Sequence, residues 1–103
     1  MVKHVILWTL KDGYSDKEKD DIKKGIKEGL ESLKGRIPGL IDIKVNTERI
    51  DGSNADLMLD TSFTDEESLK GYAVNPLHVA VADTKVRPFT AVRTCLNYII
   101  WCG

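Results

Sequence analysis

The sequence predicts a single domain of the α+β class over residues 1–103, with a four-stranded antiparallel sheet and helices on one face. Apolar residues recur at every second position in some segments and at every third or fourth position in others, in the order βαββαβ. That order is the split βαβ arrangement. The first and last strands are apolar on both sides, whereas a sheet covered on one face alternates cleanly, so we expect a further layer on the other face.

The first strand is predicted from Val2 to Leu10, a nearly unbroken run of apolar and β-branched residues that is typical of a central strand. A long amphipathic helix follows, because Ser15 and Glu18 have the spacing of a capping box. Its apolar stripe consists of Ile22, Ile26, Leu30 and Leu33. Gly25 and Gly29 lie beside this stripe at a cost in helix propensity. They indicate either close packing of the helix or room for a small ligand.

Two further strands and a broken helix are predicted next. Residues 41–47 alternate as a half-exposed edge strand, antiparallel to a strand over residues 57–63. The apolar side of the edge strand carries Ile41, Ile43, Val45 and Thr47. Thr64-Asp65-Glu66-Glu67 is predicted as a second capping box. Asn75 then caps a new, largely buried helix with Pro76 at its first position, which ends before Arg87-Pro88, and the last strand covers residues 91–101.

The charge balance is close to neutral, with 15 Lys and Arg against 16 Asp and Glu. We therefore expect neither nucleic acid nor membrane partners, because no net charge attracts phosphate backbones or anionic lipid. No apolar run reaches transmembrane length, and no signal-peptide pattern is present. Cys95 and Cys102 show neither a disulfide framework nor metal-ligand spacing, which predicts a cytoplasmic protein. Without a motif for a metal or another cofactor, we expect neither.

The strands that are apolar on both sides predict a second copy of the chain. In the first strand, Val5 and Leu7 lie opposite Ile6, Trp8 and Leu10. The predicted helices cannot cover both faces of the sheet, and large exposed apolar patches are rare on monomers. We therefore expect a homodimer formed by sheet-to-sheet packing.

Two histidines and a tyrosine are the candidate catalytic residues. His78 is predicted as the third residue of a helix, where unpaired N–H groups disfavour imidazolium, so its neutral ring suits a general base. Tyr72 precedes the helix break and is placed to orient a substrate oxygen. His4 lies on the strand face that carries Ile6 and Trp8. The alternative leaves Tyr72, His4 and His78 in structural roles, packed or hydrogen-bonded within the fold.

Several motifs spread over nearly the whole chain resemble those of one family. They are Val2-Lys3-His4-Val5-Ile6-Leu7, the Ile37-Pro38-Gly39 turn, the junction from Phe63 to Glu67, and Tyr72-x-x-Asn75-Pro76-x-His78. Their order and spacing resemble the stress-responsive A/B barrel domain (Dabb) family. The resemblance implies a ferredoxin-like fold that dimerises by packing two sheets into one α/β barrel.

The same resemblance implies roles for the candidate site. In a plant enzyme of the family, residues matching His78 and Tyr72 assist an aldol cyclisation of a linear polyketide, and the residue matching His4 lines the same pocket. Asn75 stands where the family usually has histidine, and Asn97 stands where it often has aspartate.

The leading hypothesis is a cofactor-free lyase, cyclase or isomerase that acts on a small, mostly apolar carbonyl compound. His78 would remove a proton next to the carbonyl, and Tyr72 would donate a hydrogen bond to the enolate oxygen, with His4 in the same pocket. The residues expected to contact the substrate are Ile6, Trp8 and Ile26. A competing hypothesis is a non-catalytic, stress-responsive or ligand-sequestering homodimer. A third is a cofactor-free monooxygenase, which no residue of this chain specifically supports.

Overall fold

Four antiparallel strands form the sheet in the computed structural model, which describes residues 1–101 and leaves Cys102 outside the described residues. The strands are β1 (Val2–Leu10), β2 (Leu40–Asn46), β3 (Leu57–Phe63) and β4 (Thr90–Ile99). Their order in the sheet is β2-β3-β1-β4, so β1 is central and β2 is an edge, as predicted. Together with the helices between them, they form the predicted split βαβ arrangement.

The first helix, α1 (Asp16–Glu31), begins at the predicted capping box. The Ser15 hydroxyl accepts a hydrogen bond from the backbone N–H of Glu18 at 3.1 Å, and the Glu18 carboxylate accepts one from the N–H of Ser15 at 3.0 Å. These bonds satisfy two N–H groups that would otherwise lack partners at the start of the helix. Ile26 and Leu30 point into the core, and Leu33 stays buried although it lies beyond the end of the helix.

Gly29 allows α1 to pack closely against another helix. A methyl group at this position would lie 3.0 Å from Cγ1 of Val81, whereas one at Gly25 would have no atom within 4 Å. Close packing therefore explains Gly29, and the partner is the helix that contains Val81. Neither glycine lines the cavity described below.

The second helix, α2 (Glu66–Val74), has its N-cap one residue later than predicted. Asp65, not Thr64, is the N-cap, and its carboxylate accepts a hydrogen bond from the N–H of Ser68 at 2.8 Å. The Thr64 hydroxyl is instead 2.9 Å from the Ser68 hydroxyl. The predicted capping box is therefore wrong at this position, since a single side chain caps the helix.

The third helix, α3 (Pro76–Val81), starts as predicted, with the Asn75 side chain accepting from the N–H of Leu77 at 2.9 Å. It continues into a π-helical turn over Ala82–Val86, in which the N–H of Arg87 donates to the carbonyl of Ala82, five residues back. Only Ala82 and Val86 of this segment are buried. The prediction of a largely buried helix is wrong, because α3 packs against α1 and α2 on one side and leaves its other side exposed.

A bulge in β2 shifts the predicted alternation of the edge strand. Leu40 pairs with Phe63 and Asp42 pairs with Ser62, so Ile41 is an extra residue and is 46% exposed. Leu40 takes the buried position, and Ile43 and Val45 are buried as predicted.

The core lies between the helices and one face of the sheet. On the opposite face, no helix of residues 1–101 covers a set of mostly apolar side chains, which we call the bare face: Val5, Leu7, Met58, Val92, Leu96 and Tyr98. Leu7 is 40% exposed and Leu96 is 62% exposed. The predicted apolarity of both sheet faces is therefore present in the fold.

Candidate functional site

A cavity of about 130 Å³ lies between the sheet and the helices. The strand β1, the helices α2 and α3 and the edge strand β4 all contribute to its walls. Five residues predicted for the site line it together: His4, Ile6, Trp8, Tyr72 and His78.

Ile26, which was expected to contact a substrate, does not line the cavity. Its side chain is fully buried in the core, and Leu30, one turn further along α1, lines the cavity in its place. The two residues share one stripe of the helix, and only the later turn reaches over the cavity.

His4 is held by a partner on the neighbouring strand. It pairs with Asn97 across β1 and β4, and its Nδ1 is 2.6 Å from Oδ1 of Asn97. With the Asn97 oxygen accepting the Nδ1 proton, the Nε2 atom of His4 is left as an acceptor. Burial lowers the pKa of His4, the Asn97 hydrogen bond raises it in part, and the charge of Arg93 lowers it further. The ring is therefore neutral near pH 7.

Tyr72 is almost fully buried at the end of α2, with 1% of its surface exposed. Its ring meets Phe63 edge to face at a centroid distance of 5.1 Å. Its hydroxyl oxygen is buried and has no hydrogen-bond partner among residues 1–101. Burial raises the pKa of the phenol, so the group stays protonated and is available as a donor.

His78 is the third residue of α3, as predicted, and its ring stacks on Tyr72 at a centroid distance of 4.1 Å with an angle of 32° between the planes. Its Nδ1 is buried without a hydrogen-bond partner in the described chain. A nearby backbone group of Ala73 favours the protonated ring without meeting hydrogen-bond geometry to Nδ1. Burial is the largest cause of a lowered pKa, and the charges of Arg87, His4 and Arg93 act in the same direction.

Two arginines that we did not predict also line the cavity, Arg87 from the end of the π-helical turn and Arg93 from β4. Strand alternation places Arg93 on the same face as Cys95 and Asn97, which is the face that carries His4. This alternation was the available signal for Arg93. The role of Arg87 depends on how the π-helical turn ends and has no comparable signal in the sequence.

Cys95 is exposed, and its Sγ is 3.6 Å from Nδ1 of His4. Residues 1–101 contain no group of three or more His, Cys, Asp or Glu side chains placed to hold a metal ion. Within the same residues, no helix has both the length and the apolarity that crossing a membrane requires.

Comparison with known proteins decides the family. The family model described as Stress responsive A/B Barrel Domain (Dabb) matches residues 2–100. The chain belongs to the Dabb family. This confirms the resemblance found in the sequence motifs. No curated protein matches this Dabb chain by sequence.

Solved structures confirm the ferredoxin-like fold. A dimeric protein of unknown function from Bacteroides fragilis, described as ferredoxin-like, has a TM-score of 0.89 and 28% identity, over 96% of this chain and 95% of that chain. A Dabb family protein from Mesorhizobium loti has a TM-score of 0.74 and 18% identity, over 98% and 97%. The hydroxynitrile lyase from Passiflora edulis has a TM-score of 0.72 and 20% identity, over 96% and 92%.

Proposed function

We propose that the cavity binds a small carbonyl compound and transfers a proton at the carbon next to the carbonyl, without a cofactor. The observation that carries the proposal is the meeting of Tyr72, His78 and His4 in one cavity. Two of these groups, the Tyr72 hydroxyl and Nδ1 of His78, lack partners within the described chain. An unsatisfied buried polar group costs about 1–3 kcal/mol, and a ligand that supplies partners removes this cost.

In this proposal each side chain has one role. His78 is neutral near pH 7 and takes the proton from carbon, which leaves an enolate and an imidazolium. Tyr72 keeps its proton and donates a hydrogen bond to the enolate oxygen. His4, held by Asn97, presents Nε2 as a second acceptor that positions the substrate. The imidazolium then returns the proton to another carbon of the conjugated enolate, as an isomerase requires, or the enolate carbon attacks a second carbonyl group whose oxygen takes the proton, as a cyclase requires. The reverse of the second reaction, in which His78 takes the proton of a β-hydroxyl and the carbon–carbon bond breaks to release the enolate, is the lyase reaction.

The size of the cavity limits the substrate. An engineered apolar cavity of about 150 Å³ holds one benzene molecule. At about 130 Å³, the cavity of this chain accepts a buried group of similar size. Trp8 fills part of the wall on the sheet side, so a long acyl chain does not fit inside. The same fold carries a hydroxynitrile lyase in Passiflora edulis, so the fold is compatible with a lyase site.

Proton exchange provides the test. We expect wild-type protein in D2O to accelerate deuterium incorporation next to the carbonyl of cyclohexanone or pyruvate, measured by NMR. His78→Phe keeps a ring against Tyr72 and removes the base, and we expect it to lose about 100-fold or more of this rate. Leu77→Ala, beside His78 but outside the cavity, serves as the control with an unchanged rate.

Wild-type exchange at the buffer rate, or equal rates in wild-type and His78→Phe, would contradict the proposed chemistry. Binding of the same compounds without exchange would instead favour the non-catalytic, ligand-sequestering alternative.

We also propose that the protein is a homodimer joined through its bare face. Within the described residues no helix covers the apolar side chains of this face, and Lys3 on the same face pairs within the sheet, with its Nζ 2.5 Å from Asp60 and 2.9 Å from Ser62. The Bacteroides fragilis protein, described as dimeric, supports this assembly.

A further inference from the structure

The cavity between the sheet and the helices, called the inner cavity from here on, is lined by basic side chains and by no acidic side chain of the described chain. Arg87, Arg93, His4 and His78 contribute to its walls, and no lining residue of the described chain is Asp or Glu. The two histidines are neutral near pH 7, so the arginines set the local charge. Guanidinium groups keep their charge at any physiological pH. The cavity is therefore electropositive, although the whole chain has a net charge of −1.

The two arginines differ in their partners. Arg87 forms an ion pair with Asp83, four residues earlier on the same turn. Arg93 forms no ion pair with any carboxylate of residues 1–101. Arg93 is thus the charged residue at this site whose positive charge has no opposite charge paired with it in the described chain.

Arg93 also marks the entrance to the inner cavity. A larger outer cavity of about 620 Å³ runs along β4 and shares Arg93, His4, Leu69 and Ala73 with the inner one. Glu66 and Lys70 line the outer cavity only, and Glu66 makes no ion pair with Arg93. A ligand that entered from β4 would pass Arg93 and His4, which line both cavities, before it reached His78, which lines the inner cavity only.

We propose that Arg93 is a carboxylate-binding residue at the mouth of the cavity and that the substrate is a small carbonyl acid. This inference rests on the proposed function and names its substrate class. The planar guanidinium fork matches the two oxygens of a carboxylate and binds them through two parallel hydrogen bonds. With its carboxylate bound to Arg93, the ligand would place its uncharged part inside the cavity, next to Tyr72 and His78.

A carboxylate at Arg93 also helps the proposed reaction. Removal of a proton from a carbonyl acid creates a second negative charge close to the first one. A guanidinium paired with the carboxylate offsets the repulsion between these charges. Arg93 thus binds the carboxylate and favours formation of the enolate.

Benzoate and benzamide form a matched pair of probes, because both have the ring size that the cavity accepts and only benzoate is charged. We expect calorimetric titration of wild-type protein to show benzoate binding at least about tenfold tighter than benzamide. Arg93→Gln should remove this preference by weakening benzoate alone. Arg36→Gln, at an exposed arginine that lines neither cavity, should leave both affinities unchanged.

A second variant and a second readout separate binding at Arg93 from a change in the fold. Arg93→Lys keeps the charge but loses the fork, and we expect a benzoate affinity between those of wild-type and Arg93→Gln. Benzoate should also shift the ring resonances of His4 and His78 in the NMR spectrum of wild-type protein. Inorganic phosphate at equal ionic strength should bind more weakly than benzoate.

Equal affinity of wild-type protein for benzoate and benzamide would overturn the proposal, as would an Arg93→Gln variant that retained the preference. Tighter binding of phosphate than of benzoate would also overturn the carboxylate assignment. In each case, deuterium exchange on the neutral ketone cyclohexanone still tests the proposed proton transfer. If that exchange is absent while benzoate binding depends on Arg93, the proton transfer is wrong and the carboxylate site stands.

Discussion

The rings of Tyr72 and His78 stack at a centroid distance of 4.1 Å, yet the Tyr72 hydroxyl and His78 Nδ1 have no hydrogen-bond partner within residues 1–101. Aromatic pairs contribute about 0.5–1.5 kcal/mol beyond burial, whereas each unsatisfied polar group costs about 1–3 kcal/mol. The stacking therefore does not recover the cost of the two unpaired groups. This balance is typical of a site kept for a ligand at the expense of stability.

Tyr72→Phe tests this balance directly. Removal of the unpaired hydroxyl should raise the free energy of unfolding by about 1 kcal/mol, measured by urea denaturation at fixed protein concentration. Tyr14→Phe, at a half-exposed tyrosine, should change it little. The same Tyr72 variant should lose proton exchange activity. A loss of stability in Tyr72→Phe would mean that the hydroxyl makes a hydrogen bond in the folded protein.

The lowered pKa values of His4 and His78 predict how stability depends on pH. In the unfolded chain both rings titrate near the ordinary value of 6.5, whereas in the folded protein they resist protonation until a lower pH. Below pH 6.5 the unfolded state therefore binds more protons than the folded state, and stability falls as pH falls through this window. Carboxyl groups with lowered pKa values, such as Glu31, contribute a further loss only below about pH 4.5.

We therefore expect a lower urea midpoint at pH 5.5 than at pH 7.5. His78→Phe should reduce this difference, because it removes one of the two responsible groups. NMR titration of the ring resonances identifies each histidine separately. A midpoint that does not change between the two pH values, together with ring titration near 6.5, would contradict the prediction.

Local signals predicted a large part of the fold and of the site. The capping box at Ser15 and the Asn75-Pro76 start of α3 depend on residues close in sequence, and both are present. The same start placed His78 as the third residue of its helix, although burial is the main cause of its lowered pKa. Capping residues are therefore enough to place Tyr72 and His78 on either side of a helix break.

Other features depend on pairing between distant segments, which local signals do not determine. The exposure of Ile41 follows from a bulge against β3. Helical spacing puts Ile26 and Leu30 on one stripe but does not say which turn lies over the cavity. Arg93 lines the cavity because β4 pairs with β1 in a register that brings it opposite Trp8. Such registers are set by the whole sheet, since a shift of one residue would turn each side chain to the other face.

Burial is the main cause of the lowered pKa of His4, and the hydrogen bond to Asn97 opposes it, so two substitutions of Asn97 should move this pKa in opposite directions. Asn97→Asp places a carboxylate beside Nδ1, at a position now 2.6 Å away, and should raise the pKa of His4. Asn97→Leu removes the hydrogen bond that now raises this pKa and should lower it further. Histidine NMR titration measures both. Equal values in the two variants would show that Asn97 does not hold the ring in solution.

Gly25 and Gly29 give a matched test of packing on α1. Gly25→Ala adds a methyl group in open space and should stabilise the protein by about 0.5–1 kcal/mol through helix propensity. Gly29→Ala brings the same gain in propensity, but its methyl group would lie 3.0 Å from Val81 and force that side chain to move. We expect a smaller gain or a loss, measured by urea denaturation. Equal gains in the free energy of unfolding for the two variants would mean that α3 moves away from the added methyl group at no energetic cost.

A single charge on the bare face tests the proposed dimer. Leu96 on β4 is 62% exposed, and Val74 on α2 is 75% exposed, so a lysine at either position remains hydrated in a single chain. Folding of one chain should therefore tolerate Leu96→Lys and Val74→Lys equally. The two variants differ only if the bare face is buried in an assembly, where an unpaired lysine is costly.

We expect light scattering at micromolar concentration to show dimers for wild-type and Val74→Lys and monomers for Leu96→Lys. Since Leu96 lies opposite Val5 in the register of β1 and β4, Val5→Lys should act in the same way. A monomeric wild-type protein would rule out the dimer. Dimers in both Leu96→Lys and Val5→Lys would place the contact elsewhere, because an unpaired lysine buried in an apolar sheet interface would destabilise it.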